Sequence, residues 1–592
     1  MQNLSDIEQE VVKTVENEVT LYKDPEVFIT ENVSFSIRPL TRRLRKNYYG
    51  VYDHPKDPAT KRKKIWSPIT MVMCDAVTKN IDLDTKDILF RNKNRENSDI
   101  TDLVRAKVKE YLDRSNFGQD LDLTLRTLAI DPVVVWKTHK VKRNGKTIIA
   151  RKHVDVLNVF IDPSADSIQD AHRFTERFLM TKTEMEKQKN WKNVELAQPR
   201  NNFNKYDHRG TNMNSTTELI DVYEMWGKVP EYFFTGNREQ KDEVDARVVV
   251  SGLEGGKPLL HLIEKNTTMD NEGNIIKPYE ELWYRKLPWS WYGISPAWMV
   301  LDMQEYANLI LNIRVNKGTL SQMGLFKIKN SAGVNQADFN SLVQNGVIKL
   351  ANTSDMEVMN IPEPGVSSYK DEEIAKLWAS ELTNAFDAVR GHSLPATATA
   401  TGVVTEDRNA KSAFVLVKDN IGFFLERWID RHVLPVLPKM IREDKYIRIE
   451  AGLSGIEKLR ERVISHYTMK YLEDAYTQGR VPSEMELMLA MERAEKKLTG
   501  DLFFESVEDI ITKGVDTVVQ VTNEQMDVAV TVQNLLALMP MIPEEARRDT
   551  LFQVFDLLGL DRPNIDLVPQ DPQMLDTQGM TEQQMTTQAN VV

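Results

Sequence analysis

Asp82, Asp84 and Asp87 lie two and three residues apart, a spacing at which carboxylates can collect around a hard divalent cation. A nuclease or terminase subunit could use such a group, and changing Asp82 or Asp84 would then abolish metal-dependent turnover. No second acidic cluster with its own signature completes that site, so the run also reads as a solvated turn. Gly145-Lys146-Thr147 resembles the end of a phosphate-cradling loop, but the upstream glycine position is occupied by Lys140, and the pattern fails. The nine histidines are scattered, with none paired at zinc spacing, and His392 reads as structural or solvent-facing. No Gly-x-Ser-x-Gly elbow occurs. Glu372-Glu373 most simply stabilise the start of their helix through its dipole. Cys74, beside Met71, Val72, Met73 and Val77, reads as a small buried hydrophobe with no basic neighbour to activate its thiol. The expectation is therefore no catalytic constellation, no metal and no cofactor.

Composition sets the outer bounds. The chain has 592 residues, 28% charged and 41% hydrophobic, which suits several folded domains. Its net charge of -12 argues against gripping nucleic acid by counterion release, which needs clustered Lys and Arg. A single cysteine excludes an internal disulfide and fits a reducing cytosol. No apolar run approaches the ~20 residues of a membrane span, and Met1–Asp6 is too polar for a signal peptide. The expected compartment is the cytoplasm, or something assembled there.

Residues 1–60 form an N-terminal arm whose basic stretch Arg38–Lys46, followed by Lys61–Lys64, reads either as solvated and mobile or as a contact for shell proteins or DNA. Helices are expected from Trp66-Ser-Pro68 through Val77, over Asp102–Phe117 and over Leu121–Ile130. Val133–Val154 carries Asn144-Gly145 at its centre, a strong hairpin signal with a type I′ turn. Extended stretches at Val156–Ile161, Leu219–Lys228, Ala246–Ser251, Pro258–Glu264 and Glu280–Tyr284 point to mostly antiparallel pairing. Trp289, Trp291 and Trp298 read as core, and Asn190–Ser215 as an exposed loop.

Ser290–Arg408 organises the rest. Ser295 and Pro296 suit an N-cap and first helical position for a helix over residues 296–322. Its apolar residues wrap much of the circumference, so it should be contacted on several sides. Strands at Leu325–Lys329, Val347–Leu350 and Asp355–Ile361, with a helix near Asp338–Gln344, form a small αβ insertion. A second helix, Tyr369–Arg390, carries Ile374, Leu377, Trp378, Leu382, Phe386 and Val389 at helical spacing and ends before Gly391. A loop of small, uncharged residues follows: Pro395, Ala396, Thr397, Ala398, Thr399, Ala400, Thr401 and Gly402. Arg408–Ile441 is expected to be a long helix ended by Pro435 and Pro438. A strand at Tyr446–Glu450 should pair with Val515–Val521, and helices should occupy Gly455–Gln478, Pro482–Leu498, Glu524–Met539 and Pro543–Leu558. From Arg562 the composition is that of a disordered tail.

This series resembles bacteriophage portal proteins, the head-to-tail connectors. Gly293-Ile-Ser-Pro296 with Asp302, Gln304, Asn308 and Asn312, then Ala400-Thr401-Gly402-Val403 and Asn420–Trp428, carry the likeness. It extends more weakly through Trp66-Ser-Pro68, Asp155–Asp162 and Glu224–Gly227, and covers about residues 60–560. The resemblance implies an α+β, mostly helical fold with an α/β wing (61–289), two stem helices (290–322 and 367–391), a small αβ clip (323–366) and a tunnel loop (392–408). A long helix returning to the wing (409–523), a helical crown (524–560) and a tail (561–592) complete it.

It further implies a homo-oligomeric ring, typically of twelve copies, at one vertex of the virion of a short-tailed double-stranded DNA phage, assembled in the host cytoplasm. The ring would pass double-stranded DNA during packaging and ejection without enzymatic activity of its own. Partners would be terminase, adaptor and tail proteins, and major capsid and scaffolding proteins, with no membrane. Residues 395–402 would line the constriction, where small polar groups let duplex DNA slide without the traps that salt bridges to phosphate would create. Lys370, Glu373 and Lys376 are the stem candidates for facing the channel. An adaptor or internal virion protein is the structural alternative.

Overall fold

The computed structural model describes residues 6–57, 62–82, 88–92, 98–143, 146–199, 219–240, 242–253, 256–270, 273–323, 325–328, 356–359, 367–385, 413–444, 452–477, 483–497, 517–521 and 535–539, with positions 547, 550, 551 and 554. It divides into two units. The first holds residues 1–91, 108–444 and 517–523; the second holds 92–107, 445–516 and 524–592.

In chain order the elements are α1 (Asp6–Leu21), β1 (Glu26–Thr30), β2 (Val33–Ser36), α2 (Ile37–Tyr49), α3 (Ile69–Ile81), β3 (Ile88–Asn92), α4 (Ser98–Arg114) and α5 (Phe117–Ile130). The sheet region follows with β4 (Val134–Arg143), β5 (Lys146–Val154), β6 (Val159–Ile161), β7 (Arg173–Thr181), α6 (Lys182–Glu186) and β8 (Leu219–Pro230). Next come α7 (Tyr232–Thr235), β9 (Glu243–Ser251), β10 (Leu259–Lys265), β11 (Tyr279–Leu282), β12 (Arg285–Lys286) and β13 (Gly293–Ile294). Then run α8 (Pro296–Met299), α9 (Leu301–Met323), β14 (Leu325–Ile328), β15 (Met356–Met359) and α10 (Ser367–Thr383). The remainder is α11 (Val415–Trp428), a π-helical turn (Ile429–Val433), α12 (Leu437–Asp444), α13 (Gly452–Thr477), α14 (Glu484–Lys497) and β16 (Thr517–Val521).

The first unit is mixed helix and antiparallel sheet, as expected. Strands β10-β9-β8-β7-β6 form one five-stranded sheet and β11-β4-β5 a three-stranded one. Nearly every residue of β8 is buried, because both faces of its sheet are covered. Val11, Val12, Val15 and Val19 of α1 pack with Tyr223, Met225 and Val250 on one face, while Ile220, Val222 and Val249 pack with Met185 on the other. Arg143 opposes Lys146, which fixes the hairpin at a two-residue connection.

Several expectations change. The basic stretch near the N-terminus is not a solvated arm. It is α2, ending at Gly50 in the left-handed region. Arg38 is buried, donates to the Val159 carbonyl at 3.2 Å and lies 4.5 Å over the Phe160 ring. Arg45 binds two carboxylates at once, Asp131 at 2.6 Å and Asp155 at 2.7 Å. Strand β16 pairs with β3, whereas Tyr446–Glu450 lies outside the described residues. Trp291 is fully buried, but Trp289 is 55% exposed, its indole donating to the Phe28 carbonyl at 3.0 Å. The helix expected from Arg408 begins at Val415 within the described residues and passes through the π turn before Pro435. Cys74 is buried as expected, and burial drives its thiol pKa up.

Two buried ionic clusters sit on the sheets. Lys137 Nζ reaches Glu176 at 2.7 Å and also Glu224, while Arg247 reaches Glu224 at 2.7 Å. Burial would raise the Glu224 carboxyl, but Lys137 and Arg247 outweigh it and hold its pKa at about 2. On β11, Glu280 accepts from Arg431 and contacts His432. Burial first, and the Glu280 charge second, push the neighbouring Glu281 carboxyl up to about 8. A perturbed carboxyl can mark a functional site. Glu281, however, is 3% exposed under α11 and offers a substrate no open face. Its Oε1 accepts from the Ile168 backbone at 3.2 Å.

In the second unit, α13 and α14 appear near the expected positions. Ser483 and Glu486 form a reciprocal cap at the start of α14, with bonds of 3.0 and 3.4 Å. The Pro543–Leu558 helix and the tail fall largely or wholly outside the described residues.

Candidate assembly face on the paired long helices

The two long helices of residues 290–391 appear as a pair. Ser295 caps α8 as its sequence predicts: its hydroxyl accepts from the Trp298 amide at 3.3 Å and donates to the Ile130 carbonyl at 2.8 Å. Val300 interrupts the helix, and α9 continues to Met323. Strands β14 and β15 then pair antiparallel, Leu325 opposite Met359 and Ile328 opposite Met356, so the chain turns back into α10. Residues 329–355, including the expected small helix and middle strand, lie outside the described residues.

One face of α9 is polar for a specific reason. Gln304, Asn308 and Asn312 recur every four residues and so line up along the helix. Together they bind the extended segment that precedes α3. Gln304 accepts from the Thr70 amide at 2.8 Å and donates to the Ser67 carbonyl at 2.6 Å. Asn308 accepts from the Ser67 amide at 2.9 Å. Asn312 both accepts from and donates to Ile65, at 2.8 Å each. Asn308 and Asn312 act on Ile65–Ser67 as a neighbouring strand would, and Gln304 also takes up the first-turn amide of α3 at Thr70.

A second face of α9 meets α10. Arg314 donates to Glu372 at 2.6 Å, and Lys376 reaches the same carboxylate at 2.8 Å. Burial would raise Glu372, but the two cations keep its pKa below the ordinary value. The Arg314 guanidinium also lies 4.3 Å over the Tyr369 ring. The buried residues of α10 are small: Ala375, Ala379, Ser380 and Thr383. The large apolar residues that recur at helical spacing are exposed, Ile374 at 40%, Leu377 at 54%, Trp378 at 49% and Leu382 at 44%. On α9, Tyr306, Leu309 and Ile313 form a matching outward stripe at helical spacing. The described helix stops at Thr383, with Asn384 left-handed (φ 55), short of the expected end at Arg390. Phe386 and Val389 lie outside the described residues.

The three stem candidates are all exposed, spread over an arc of about 120° of α10. Lys370 and Glu373 are exposed on the side of Leu377. Lys376 is rotated about 120° from Lys370 and is tied to Glu372. Pro395, Ala396, Thr397, Ala398, Thr399, Ala400, Thr401, Gly402 and His392 lie outside the described residues, as do Asp84 and Asp87. No group of three or more potential metal ligands occurs among the described residues. None of the helices there is long and apolar enough to cross a membrane. No protein-family model matches the chain, and no curated protein does.

Proposed function

We propose that this chain is the subunit of a phage portal: a ring of copies at one capsid vertex, forming the DNA channel and the docking site for terminase and tail or adaptor proteins. The observation that carries the reading is the outward apolar surface of α9 and α10. Two helices held together by small residues and a partly buried ion pair leave their large apolar side chains exposed among the described residues. Exposed apolar surface on that scale marks a contact between molecules. Copies related by rotation can cover it by setting the α9 stripe of one against the α10 stripe of the next, a heterologous contact that closes into a ring. The order of the αβ insertion, the small-residue loop and the acidic net charge support the same reading.

Native mass spectrometry and negative-stain imaging of the purified protein test it. Closed annular particles of several hundred kilodaltons are expected, against 68.1 kDa for one chain. The pair Leu309→Glu and Trp378→Glu should release folded single chains. A wild-type protein that stays single-copy at all concentrations overturns the proposal. With assembled particles in hand, deleting Ala396–Thr401 should leave the ring intact and impair genome packaging or retention.

A further inference from the structure

Net charge conceals a local feature of the first unit. Between Val133 and Val154 the chain contains no Asp or Glu, although acidic residues outnumber basic ones 88 to 76 overall. This stretch is the β4–β5 hairpin. Beyond Lys137 it leaves its sheet, because β11 pairs only with Val134–Lys137. The remainder continues as a two-stranded ribbon with one side covered, Thr147 and Ile149 being buried. Lys137 and Lys152 are neutralised by Glu176, and Arg151 by Asp120. Lys140 and Lys142 are exposed and fall on one face of β4, about 7 Å apart along the strand. Lys439 is exposed on α12, which packs against β5. Among the described residues none of these three lysines makes a salt bridge. Desolvation and the Lys439 ammonium lower the Lys140 pKa, as for cations gathered without a counter-charge. The three lysines therefore form a group of unpaired cations on this part of the first unit.

We infer that the β4–β5 ribbon, with Lys439, is a docking site for the phosphate backbone of duplex nucleic acid. Cations repeating along an exposed strand face can meet successive phosphates of a duplex. A single-stranded ligand is disfavoured, because Thr138–Lys152 carries no Phe, Tyr or Trp on which bases could stack. An acidic protein partner would be expected to find apolar anchors among the lysines. The exposed residues of the ribbon supply none. This site shares no residue with the paired helices or with residues 395–402, and does not depend on how copies assemble.

Fluorescence anisotropy of the full-length protein with a 30-base-pair duplex tests the inference, with a 30-nucleotide single strand and poly-glutamate as competitors. Three phosphate contacts predict a log–log salt slope of about -2.7, a roughly 40-fold loss of affinity between 50 and 200 mM salt. The triple variant Lys140→Gln, Lys142→Gln, Lys439→Gln should make the slope shallower by about 2.7 while melting like the wild type. The charge-matched control Lys13→Gln, Lys187→Gln, Lys189→Gln should leave the slope unchanged. The inference is overturned by absent duplex binding at 50 mM salt, by equal losses in both triple variants, or by tighter binding of the single strand or of poly-glutamate.

Discussion

Asn312 and Ile65, 247 residues apart in sequence, exchange two hydrogen bonds of 2.8 Å, side-chain amide to backbone amide. Gln304, eight residues earlier along the helix, makes the same kind of exchange with Ser67 and Thr70, in the buried part of the contact. A helix surface thereby does the work of a strand edge. The partners are backbone groups, so no change in the Ile65–Thr70 side chains can substitute for a lost amide.

Gln304→Leu is therefore expected to cost about 2–4 kcal/mol, because it strands a buried amide and a buried carbonyl. Asn312→Leu, at the exposed end, should cost under about 1 kcal/mol. Urea denaturation of the two variants checks the order. Equal costs would mean that the amides pack rather than pair.

Glu281 predicts stability that falls as pH rises. Its folded carboxyl titrates at about 8, against 4.5 for the ordinary group. Between those values the folded state holds a proton that the unfolded state has lost, so stability declines by about 1.4 kcal/mol per pH unit across the window. Glu281→Gln should match the wild type below about pH 4.5 and gain on it steadily toward pH 8. Melting temperatures of both proteins across pH 4–9 measure the difference.

Glu224 has the opposite sign. With a folded value of about 2 against 4.5, its contribution is complete above pH 4.5 and is lost as pH falls through 2. Glu224→Gln should destabilise the protein by roughly 3 kcal/mol at pH 7, and the deficit should shrink toward pH 2. Acid titration followed by near-ultraviolet circular dichroism is the readout.

Ala379 is fully buried between α10 and its neighbours. Ala379→Leu should force the helices apart and cost about 1–3 kcal/mol. Trp378→Ala, one residue away and half exposed, should leave single-chain stability within about 0.5 kcal/mol. Thermal melts of both variants separate the inner face from the outer.

The hairpin and the start of α8 were legible because local chemistry decides them: Asn144-Gly145 demands its turn, and Ser295-Pro296 its cap. Gln304, Asn308 and Asn312 were visible as polar residues on an otherwise apolar rod, yet nothing local named Ile65–Thr70 as their ligand. Helical spacing marked Leu377 and Trp378 as part of an apolar face, but that spacing is the same whether the face meets its own chain or another. Ala375 and Ala379, which do the packing, gave no signal in a reading weighted toward large side chains. Arg38 and Arg45 looked solvated because the groups that hold them lie 86 to 121 residues downstream.

Arg45 has a consequence for the order of events during synthesis. Its two carboxylates emerge from the ribosome 86 and 110 residues after it. At 5–20 residues per second the helix that carries it must wait roughly 4–22 s for them. Over that interval the nascent amino-terminal segment holds a guanidinium and an apolar face with nowhere to go, and a fragment released before Asp131 has no way to bury either.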